Sequence, residues 1–232
     1  MDAKHYPRLV LVRHGQASLG KADYDRLSDL GQRQAGQTGQ RLASLLASES
    51  ALWSGTHRRH HQTVAAMAPD LEARVDSGLD EFSTFGLIRA AIMQSEELGL
   101  RRPDDALLAD PRTHLQRLLE WFPEVLGAWQ DGRLVADDID PWPAFRQQVL
   151  SPVTHWKESI AAGRSVVVVS SAGVISTLVA ELTGSGLESQ RRLAVAMYNA
   201  SVSELYPDGD GWRLGVLNCI EHLEAEGLAT LA

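Results

Sequence analysis

The sequence has a single cysteine and no long apolar segment. Among its 232 residues only Cys219 carries a thiol, so no disulfide forms within the chain and we expect a reducing compartment. No stretch approaches the roughly 18 uninterrupted apolar residues that a membrane-spanning helix needs. Residues 1–8 are polar and lack the apolar core and cleavage site of a signal peptide. These absences predict a cytoplasmic protein without a membrane segment.

The chain also lacks an excess of positive charge. Its 22 lysine and arginine residues face 30 aspartate and glutamate residues, and the formal net charge of −8 at pH 7 opposes general binding to nucleic acid. A few arginines can still form a local anion site in an acidic protein. Arg13, Arg58 and Arg59 are the candidates for such a site.

Apolar runs typical of strands alternate with helical patterns along most of the chain. They fall at about 8–12, 51–54, 72–76, 164–170, 195–205 and 212–219. The alternation predicts an α/β fold, a three-layer sandwich in which helices flank a mostly parallel central sheet. We expect one domain over residues 1–232, because this length suits one large α/β domain better than two independent ones.

The stretch from about residue 85 to residue 162 departs from this alternation. It contains no convincing strand pattern, and its apolar residues recur at helical spacing, so we interpret it as a helical insertion. Four of the six tryptophans lie in this stretch. Packing of the insertion against the sheet is the favoured explanation for them, and an apolar wall over a substrate pocket is the alternative.

The first apolar run ends in residues suited to chemistry. Residues 9–12 are leucines and valines, and they are followed directly by Arg13, His14 and Gly15. A buried strand delivers the residues that follow it to the edge of the sheet, where α/β proteins bind ligands. An ordinary exit from a strand would have the same pattern, so the tripeptide alone leaves both interpretations open.

A basic cluster follows the second strand-like run. Gly55 and Thr56 suit a turn, and the arginines at positions 58 and 59 then fall at the start of a helix. Backbone N–H groups and the helix dipole favour an anion at that place, and a guanidinium makes paired hydrogen bonds to phosphoryl oxygens. A solvated basic helix face is the alternative. We expect no metal, because adjacent histidines point to different faces of a helix and no carboxylate or cysteine stands at ligand spacing beside them.

Three sequence elements follow one another in the first third of the chain. The tripeptide Arg13-His14-Gly15 comes first, and residues 27–35 then match the pattern L-[ST]-x-x-G-x-x-Q-A. Gly55, Arg59 and Thr63 match the pattern G-x-x-x-R-x-x-x-T. With these elements the chain resembles the histidine phosphatase superfamily, the phosphoglycerate-mutase-like family. The resemblance extends to the last strands, around residues 199–201, and leaves out the helical insertion.

The resemblance implies roles for the matching residues. His14 would attack phosphorus and form a phosphohistidine, which water then hydrolyses. Arg13 and Arg59 would hold the phosphoryl oxygens and neutralise charge in the transition state, and Gln16 is a further candidate for binding phosphate. The resemblance implies no cofactor and no metal.

A carboxyl group would protonate the leaving alkoxide. Glu81 stands where the family places its general acid, and the neighbouring Phe82 could help to keep the carboxyl protonated by desolvation. Asp80 is the second candidate. The alternative for either carboxylate is a solvated turn residue.

The chain departs from the family pattern after the central apolar run. The second histidine of the family falls on Ser171, so we expect the serine hydroxyl to bind phosphate in its place. Loss of a charge-assisted hydrogen bond costs about 1.5–3 kcal/mol, roughly ten- to a hundredfold in rate, which predicts reduced activity. One hypothesis is that His60, or else His57, supplies the missing imidazole. The alternative is a histidine at a helix start that is exposed or caps a turn.

These residues predict a phosphomonoester hydrolase that acts through a phosphohistidine on His14, with activity reduced by Ser171. The alternative is a phosphate-binding regulatory domain with little or no turnover. Phosphoglycerate mutase activity is less favoured, because it needs a sheltered site with two histidines. The expected partner is a phosphorylated small molecule or a phosphoprotein, and the sequence leaves the individual substrate and the oligomeric state open.

Overall fold

A six-stranded sheet lies at the centre of the computed structural model, which describes residues 6–18, 25–101, 103 and 115–231. Its strands are β1 (Leu9–Arg13), β2 (Ala51–Ser54), β3 (Arg74–Val75), β4 (Val166–Ser170), β5 (Val202–Asp208) and β6 (Gly211–Cys219). Their order across the sheet is β3-β2-β4-β1-β5-β6. The first four strands in this order are parallel to one another, whereas β5 is antiparallel to both β1 and β6. The sheet is therefore mostly parallel.

Helices cover both faces of the sheet. Those of the described residues are α1 (Asp29–Leu46), α2 (Arg58–Met67), α3 (Thr84–Met93), α4 (Ser95–Leu98), α5 (Leu115–Gln130), α6 (Trp142–Leu150), α7 (Val153–Ala161), α8 (Ala172–Thr183), α9 (Gly186–Ala196) and α10 (Glu221–Glu224). The α/β sandwich with flanking helices is confirmed. None of these helices combines the length and the apolar character needed to cross a membrane.

The two central strands explain why both faces are covered. Every residue of Leu9–Val12 and Val166–Val169 is buried, and successive side chains point to opposite faces. One face packs with residues of α1 and α2 in one apolar cluster, and the other packs with residues of α5 to α8 in a larger one. Continuous apolar runs of this kind are typical of parallel strands in the middle of a sheet.

Two of the strand predictions differ from the structure. The run predicted at 195–205 begins too early, because its first two residues end helix α9 and the strand begins only at Val202. Ala200 has a φ of 55°, and this left-handed backbone interrupts an extended chain. The run predicted at 72–76 forms only the two exposed residues of β3 at the edge of the sheet.

The final hairpin joins β5 to β6 through a short turn. Its sequence indicates a turn over residues 207–211, but Pro207 and Asp208 belong to β5 and Gly211 to β6. Proline fits in this strand because the pairing of β1 with β5 ends at Leu205, so no neighbour on that side needs an N–H at position 207. The turn therefore consists of Gly209 and Asp210 only.

The described residues of the stretch from 84 to 161 contain the helices α3 to α7, joined by turns and loops, and no strand. Its four tryptophans are buried in the larger apolar cluster, which favours the packing explanation for them: Trp121, Trp129, Trp142 and Trp156. Residues 102 and 104–114 lie outside the described part. The division of the chain into one domain with an insertion stays a prediction.

Two glycines of α1 give a matched test of how this helix packs. A Cβ at Gly39 would lie 2.2 Å from the carbonyl oxygen of Met67 at the end of α2, whereas a Cβ at Gly36 would meet nothing within 4 Å. Gly39→Ala is therefore expected to lower the free energy of unfolding by about 1–3 kcal/mol. Gly36→Ala is expected to raise it by about 0.5–1 kcal/mol through helix propensity. Urea denaturation measures both, and equal effects would contradict the close packing of α1 on α2.

Candidate active site

The candidate residues meet at the carboxyl edge of the parallel strands. In the register of β1 and β4, Arg13 lies opposite Ser170, so the next residues of both strands, His14 and Ser171, leave the sheet side by side. The strand β2 ends at the same edge and continues through a short turn into α2. This edge is where open α/β sheets place their ligands.

His14 is buried and held in one orientation. Its side chain is 5% exposed, and its Nδ1 lies 2.7 Å from the carbonyl oxygen of Gly15. Because a carbonyl only accepts hydrogen bonds, Nδ1 carries the ring proton and Nε2 keeps a lone pair. Burial and the nearby Arg59 and Arg13 guanidinium groups hold the pKa of His14 well below its ordinary value of 6.5. A neutral imidazole with one lone pair is the form that a nucleophile needs.

Residues of the three matching sequence elements pack around the loop that follows β1 and contains His14. A Cβ at Gly15 would lie 2.3 Å from the carbonyl oxygen of Gly31, so both glycines are needed for the close approach of two backbones. The Gly15 N–H donates to Thr63 Oγ1 at 3.1 Å, and the Thr63 hydroxyl donates to the carbonyl oxygen of Arg59 at 2.7 Å. The spacing of these elements along the chain therefore corresponds to one packed unit around His14.

Arg59 lies in the first turn of α2 and is 7% exposed. Its Nη1 donates to Asp25 Oδ1 at 2.7 Å and its Nη2 donates to Ser171 Oγ at 3.2 Å, so the guanidinium is fixed on two sides. Asp25 also accepts from the backbone N–H of Arg58 at 2.8 Å. The Arg58 side chain itself is exposed. Of the two adjacent arginines, Arg59 is the one that faces the site.

Asp25 was not a candidate from the sequence. It acts as the acidic partner of a helix start that has no capping side chain of its own, since the N-cap residue His57 makes no such bond. That missing cap is the only local signal for it.

Arg13 lies at the end of β1, beside His14. Its Nη1 donates to the carbonyl oxygens of Met197 and Leu231, the latter at 2.7 Å. Its charge contributes to the lowered pKa of His14 and opposes the rise that burial causes in the pKa of Glu81. Arg13 is therefore near the candidate nucleophile and is held by the backbone of Met197 and Leu231.

Glu81 and Asp80 have different environments, although they are neighbours in sequence. Glu81 Oε2 accepts from the Gly173 N–H at 2.8 Å, and its Oε1 is covered without a partner among the described residues. Burial raises the pKa of Glu81 above its ordinary value of 4.5, although the Gly173 hydrogen bond and the Arg59 charge oppose the shift. Asp80 instead accepts from the N–H and the hydroxyl of Thr56, at 2.6 and 2.5 Å. Glu81 is the better candidate acid, and Asp80 fixes the turn before α2.

His60 and Ser171 are in direct contact. His60 Nε2 lies 2.7 Å from Ser171 Oγ, both residues are buried, and the ring centroids of His60 and His14 are 5.6 Å apart. His57 lies further out, half-buried at the N-cap of α2, and its ring centroid is 5.2 Å from that of His60. His61 is exposed, so adjacent histidines do point to different faces of the helix.

Gln16 has contacts with the start of α1. Its Oε1 accepts from the Ser28 hydroxyl at 2.9 Å, and its backbone N–H donates to Gln34 Oε1 at 2.8 Å. These contacts hold the loop after His14 in place. A role of Gln16 in binding phosphate stays a prediction.

The site contains two guanidinium groups, which carry positive charge. It also contains two neutral imidazoles and one carboxyl group with a raised pKa. Within the described ranges, no group of three or more histidine, cysteine, aspartate or glutamate side chains is arranged to hold a metal ion. The arrangement suits a phosphoryl group: cations for its oxygens, a nucleophilic nitrogen for its phosphorus and an acid for its leaving group.

Comparison with known proteins gives the family. The profile of the histidine phosphatase superfamily (branch 1) matches residues 9–220. Among curated proteins none matches this sequence.

Solved structures share the fold. A mycobacterial glucosyl-3-phosphoglycerate phosphatase in complex with VO3 is 24% identical, with a TM-score of 0.62 over 92% of this chain and 100% of that chain. The α-ribazole phosphatase from Shigella flexneri is 21% identical, with a TM-score of 0.60 over 91% and 96%. A phosphoserine phosphatase mutant from Entamoeba histolytica, in complex with phosphoserine, is 18% identical, with a TM-score of 0.61 over 94% and 99%. The match to the profile spans most of the chain, and the chain belongs to the histidine phosphatase superfamily.

Proposed function

We propose that this protein is a phosphomonoester hydrolase that acts through a phosphohistidine on His14, with turnover reduced by the serine at position 171. The observation that carries the proposal is the state of His14, which is buried, neutral and bound through Nδ1 to the Gly15 carbonyl. Its Nε2 lone pair is thereby held ready next to two arginines.

The proposed reaction has two steps. His14 Nε2 attacks phosphorus, the bond between phosphorus and the ester oxygen breaks, and the leaving oxygen takes a proton from Glu81. Water then attacks the phosphohistidine and gives a proton to the Glu81 carboxylate, which releases phosphate and restores both residues. Arg13 and Arg59 neutralise charge on the phosphoryl oxygens in both steps, so the reaction as written uses no metal.

The substrate is proposed to be a phosphorylated small molecule rather than a phosphoprotein. The structural relatives include phosphatases named for glucosyl-3-phosphoglycerate and α-ribazole and one with phosphoserine bound. The second candidate function is a phosphate-binding regulatory domain, which Ser171 favours because a hydroxyl stabilises transition-state charge less than an imidazolium does.

Trapping the intermediate tests the proposed function. The protein is mixed with an aryl phosphate that carries a label in its phosphoryl group, and the reaction is quenched in alkali within milliseconds. The protein is then digested, and the labelled peptides are mapped. We expect an acid-labile label on the peptide that contains His14. Tight binding of phosphate with neither label nor turnover would instead support the regulatory domain, and a label on another residue would contradict the assignment of His14.

The role of Glu81 predicts a dependence on the leaving group. Glu81→Gln keeps the acceptor for the Gly173 N–H but has no acidic proton, so kcat/KM for an alkyl phosphate is expected to fall by about 10²-fold. A nitrophenyl phosphate, whose leaving group needs no proton, should be affected far less. Asp80→Asn is the matched control, because loosening the Thr56 turn should affect both substrates alike. Equal losses for both substrates in Glu81→Gln would contradict the acid role.

The pH dependence of the activity is expected to follow from the ionisation of His14 and Glu81. Activity requires neutral His14 and is lost as pH falls through its pKa, which lies well below 6.5. It also requires protonated Glu81 and is lost as pH rises through its pKa, which lies above 4.5. We therefore expect an acidic optimum for alkyl phosphates after correction for substrate ionisation, and Glu81→Gln should lose the alkaline limb. An unchanged alkaline limb in this variant would assign that limb to another group.

A further inference from the structure

The hydroxyl of Ser171 is turned away from the place where an N-cap serine normally binds. Ser171 is the N-cap of α8, yet its side chain makes no hydrogen bond to the first turn. A capping serine usually accepts from the N–H of the second or third helical residue. Here the N–H of the second residue, Gly173, donates to Glu81 Oε2 instead. Glu81 thus caps α8, and the serine oxygen faces α2.

Two nitrogen atoms converge on that oxygen. Arg59 Nη2 lies 3.2 Å from Ser171 Oγ and can only donate a hydrogen bond. His60 Nε2 lies 2.7 Å from the same oxygen, and the direction of this second bond depends on which ring nitrogen of His60 carries the proton.

The environment of His60 favours one position for its ring proton. Its Nδ1 is buried and has no hydrogen-bond partner among the described residues. A ring proton there would be a buried donor without an acceptor, and orphaned buried donors are rarer in folded proteins than acceptors that stay unpaired. Burial and the neighbouring His14 and Arg59 also lower the pKa of His60 well below 6.5, so the ring carries one proton only. On the assignment that we adopt, that proton is on Nε2, and His60 donates to Ser171.

Ser171 Oγ then accepts two hydrogen bonds, and its own proton has to be donated elsewhere. In the described part of the chain no group accepts a hydrogen bond from this hydroxyl. The His14 and His60 rings are neighbours, with centroids 5.6 Å apart, and His60 contacts Ser171, so a phosphoryl group on His14 would bring acceptor oxygens to the side of the site where Ser171 lies. We propose that the Ser171 hydroxyl donates to a phosphoryl oxygen and that His60 is the positioning residue that directs this hydrogen.

This assignment differs from direct replacement of a missing imidazole. His60 Nε2 is already engaged by Ser171, and Nδ1 faces the backbone of Gly55, where a Cβ would come within 2.5 Å of it. Neither nitrogen is left for the phosphoryl group. His60 therefore acts through Ser171, and the glycine at position 55 makes room for the ring.

A double-mutant cycle tests the coupling. Wild type, Ser171→Ala, His60→Phe and the double variant are compared by kcat/KM for an alkyl phosphate and by calorimetric titration with inorganic phosphate. Ser171→Ala loses a hydrogen bond to a charged oxygen, so kcat/KM is expected to fall about 10-fold or more. In His60→Phe, kcat/KM should fall by no more than it does in Ser171→Ala. The double variant should have the same kcat/KM as Ser171→Ala. Losses that multiply in the double variant would overturn the proposal.

A conservative variant separates positioning from packing. The amide N–H of His60→Gln can reach Ser171 Oγ, so this variant should keep most of the kcat/KM that His60→Phe loses. If His60 only fills space, phenylalanine with its ring should retain more activity than glutamine, and that result would contradict the proposal. Thermal unfolding of each variant checks that the fold is kept.

Nitrogen-15 NMR of wild-type protein provides a measurement that needs no substitution. The chemical shifts of the His60 ring distinguish a proton on Nε2 from one on Nδ1. The Nε2–H form is expected, in the free protein and with inorganic phosphate bound, and the Nδ1–H form would overturn the proposal even if the His60 variants fail to fold.

The kinetic part of this inference rests on the proposed function, whereas the binding part does not. Absence of His14-dependent turnover in wild type would overturn the hydrolase. The dissociation constants for inorganic phosphate would still decide the role of Ser171, since weaker binding in Ser171→Ala supports the hydrogen bond and unchanged binding excludes it.

Discussion

His14→Ala is expected to lower kcat/KM for phosphomonoesters by on the order of 10⁴- to 10⁶-fold, the upper value being the loss in kcat when a serine protease loses its nucleophile. Without the ring nitrogen, water has to attack the ester directly, and the route through two easier steps is closed. Arg13 and Arg59 remain, so we expect the variant still to bind inorganic phosphate. Steady-state kinetics with an alkyl and an aryl phosphate, together with calorimetric titration, measure both properties.

The matched control for this variant is another histidine of the same region. His61→Ala removes an exposed imidazole from α2, outside the contacts that hold the site, and should leave kcat/KM close to that of wild type. Equal rates in His14→Ala and wild type would overturn the hydrolase. A variant that neither turns over nor binds phosphate would show instead that His14 is needed to form the anion site.

The sequence was sufficient to predict the strand ends and the helix start that carry three of the candidate residues. Residues 9–12 and 166–169 are apolar throughout, and such runs form adjacent parallel strands whose carboxyl ends share one edge. His14 and Ser171 each come just after one of these runs, so the pattern places both at the carboxyl edge of a sheet, and the resemblance to the family implies that they meet there. The same reasoning put Arg59 at a helix start, and α2 begins at Arg58.

The contacts that tune the site could not be predicted in this way. The bonds of Ser171 to Arg59 and His60 join residues more than 100 positions apart, and they depend on how α2 is rotated against β4. The bond of Glu81 to the start of α8 likewise depends on a glycine: a Cβ at Gly173 would lie 2.3 Å from Glu81 Oε1. Local propensity carries no information about such long-range geometry.

Replacing Arg59 by methionine should produce the second-largest loss, about 10³-fold in kcat/KM, comparable to removal of an arginine that stabilises a phosphoryl transition state. Methionine keeps an apolar stem of similar length, so the loss reports the guanidinium rather than packing. Arg59→Lys keeps the charge but replaces the two nitrogens that bond separately to Asp25 and Ser171 by one, and it should recover only part of the activity. Arg58→Met, which removes the exposed neighbouring charge, should change kcat/KM far less.

The pH profile gives Arg59→Met a second and independent readout. The Arg59 guanidinium disfavours protonation of His14, so its removal should raise the pKa of His14 toward 6.5. Because activity requires the neutral ring, the acid limb of the residual activity should move to higher pH, while Arg58→Met should leave it in place. A lower kcat/KM with an unmoved acid limb would mean that Arg59 acts on the substrate alone, and its assignment as a group that also keeps His14 neutral would be wrong.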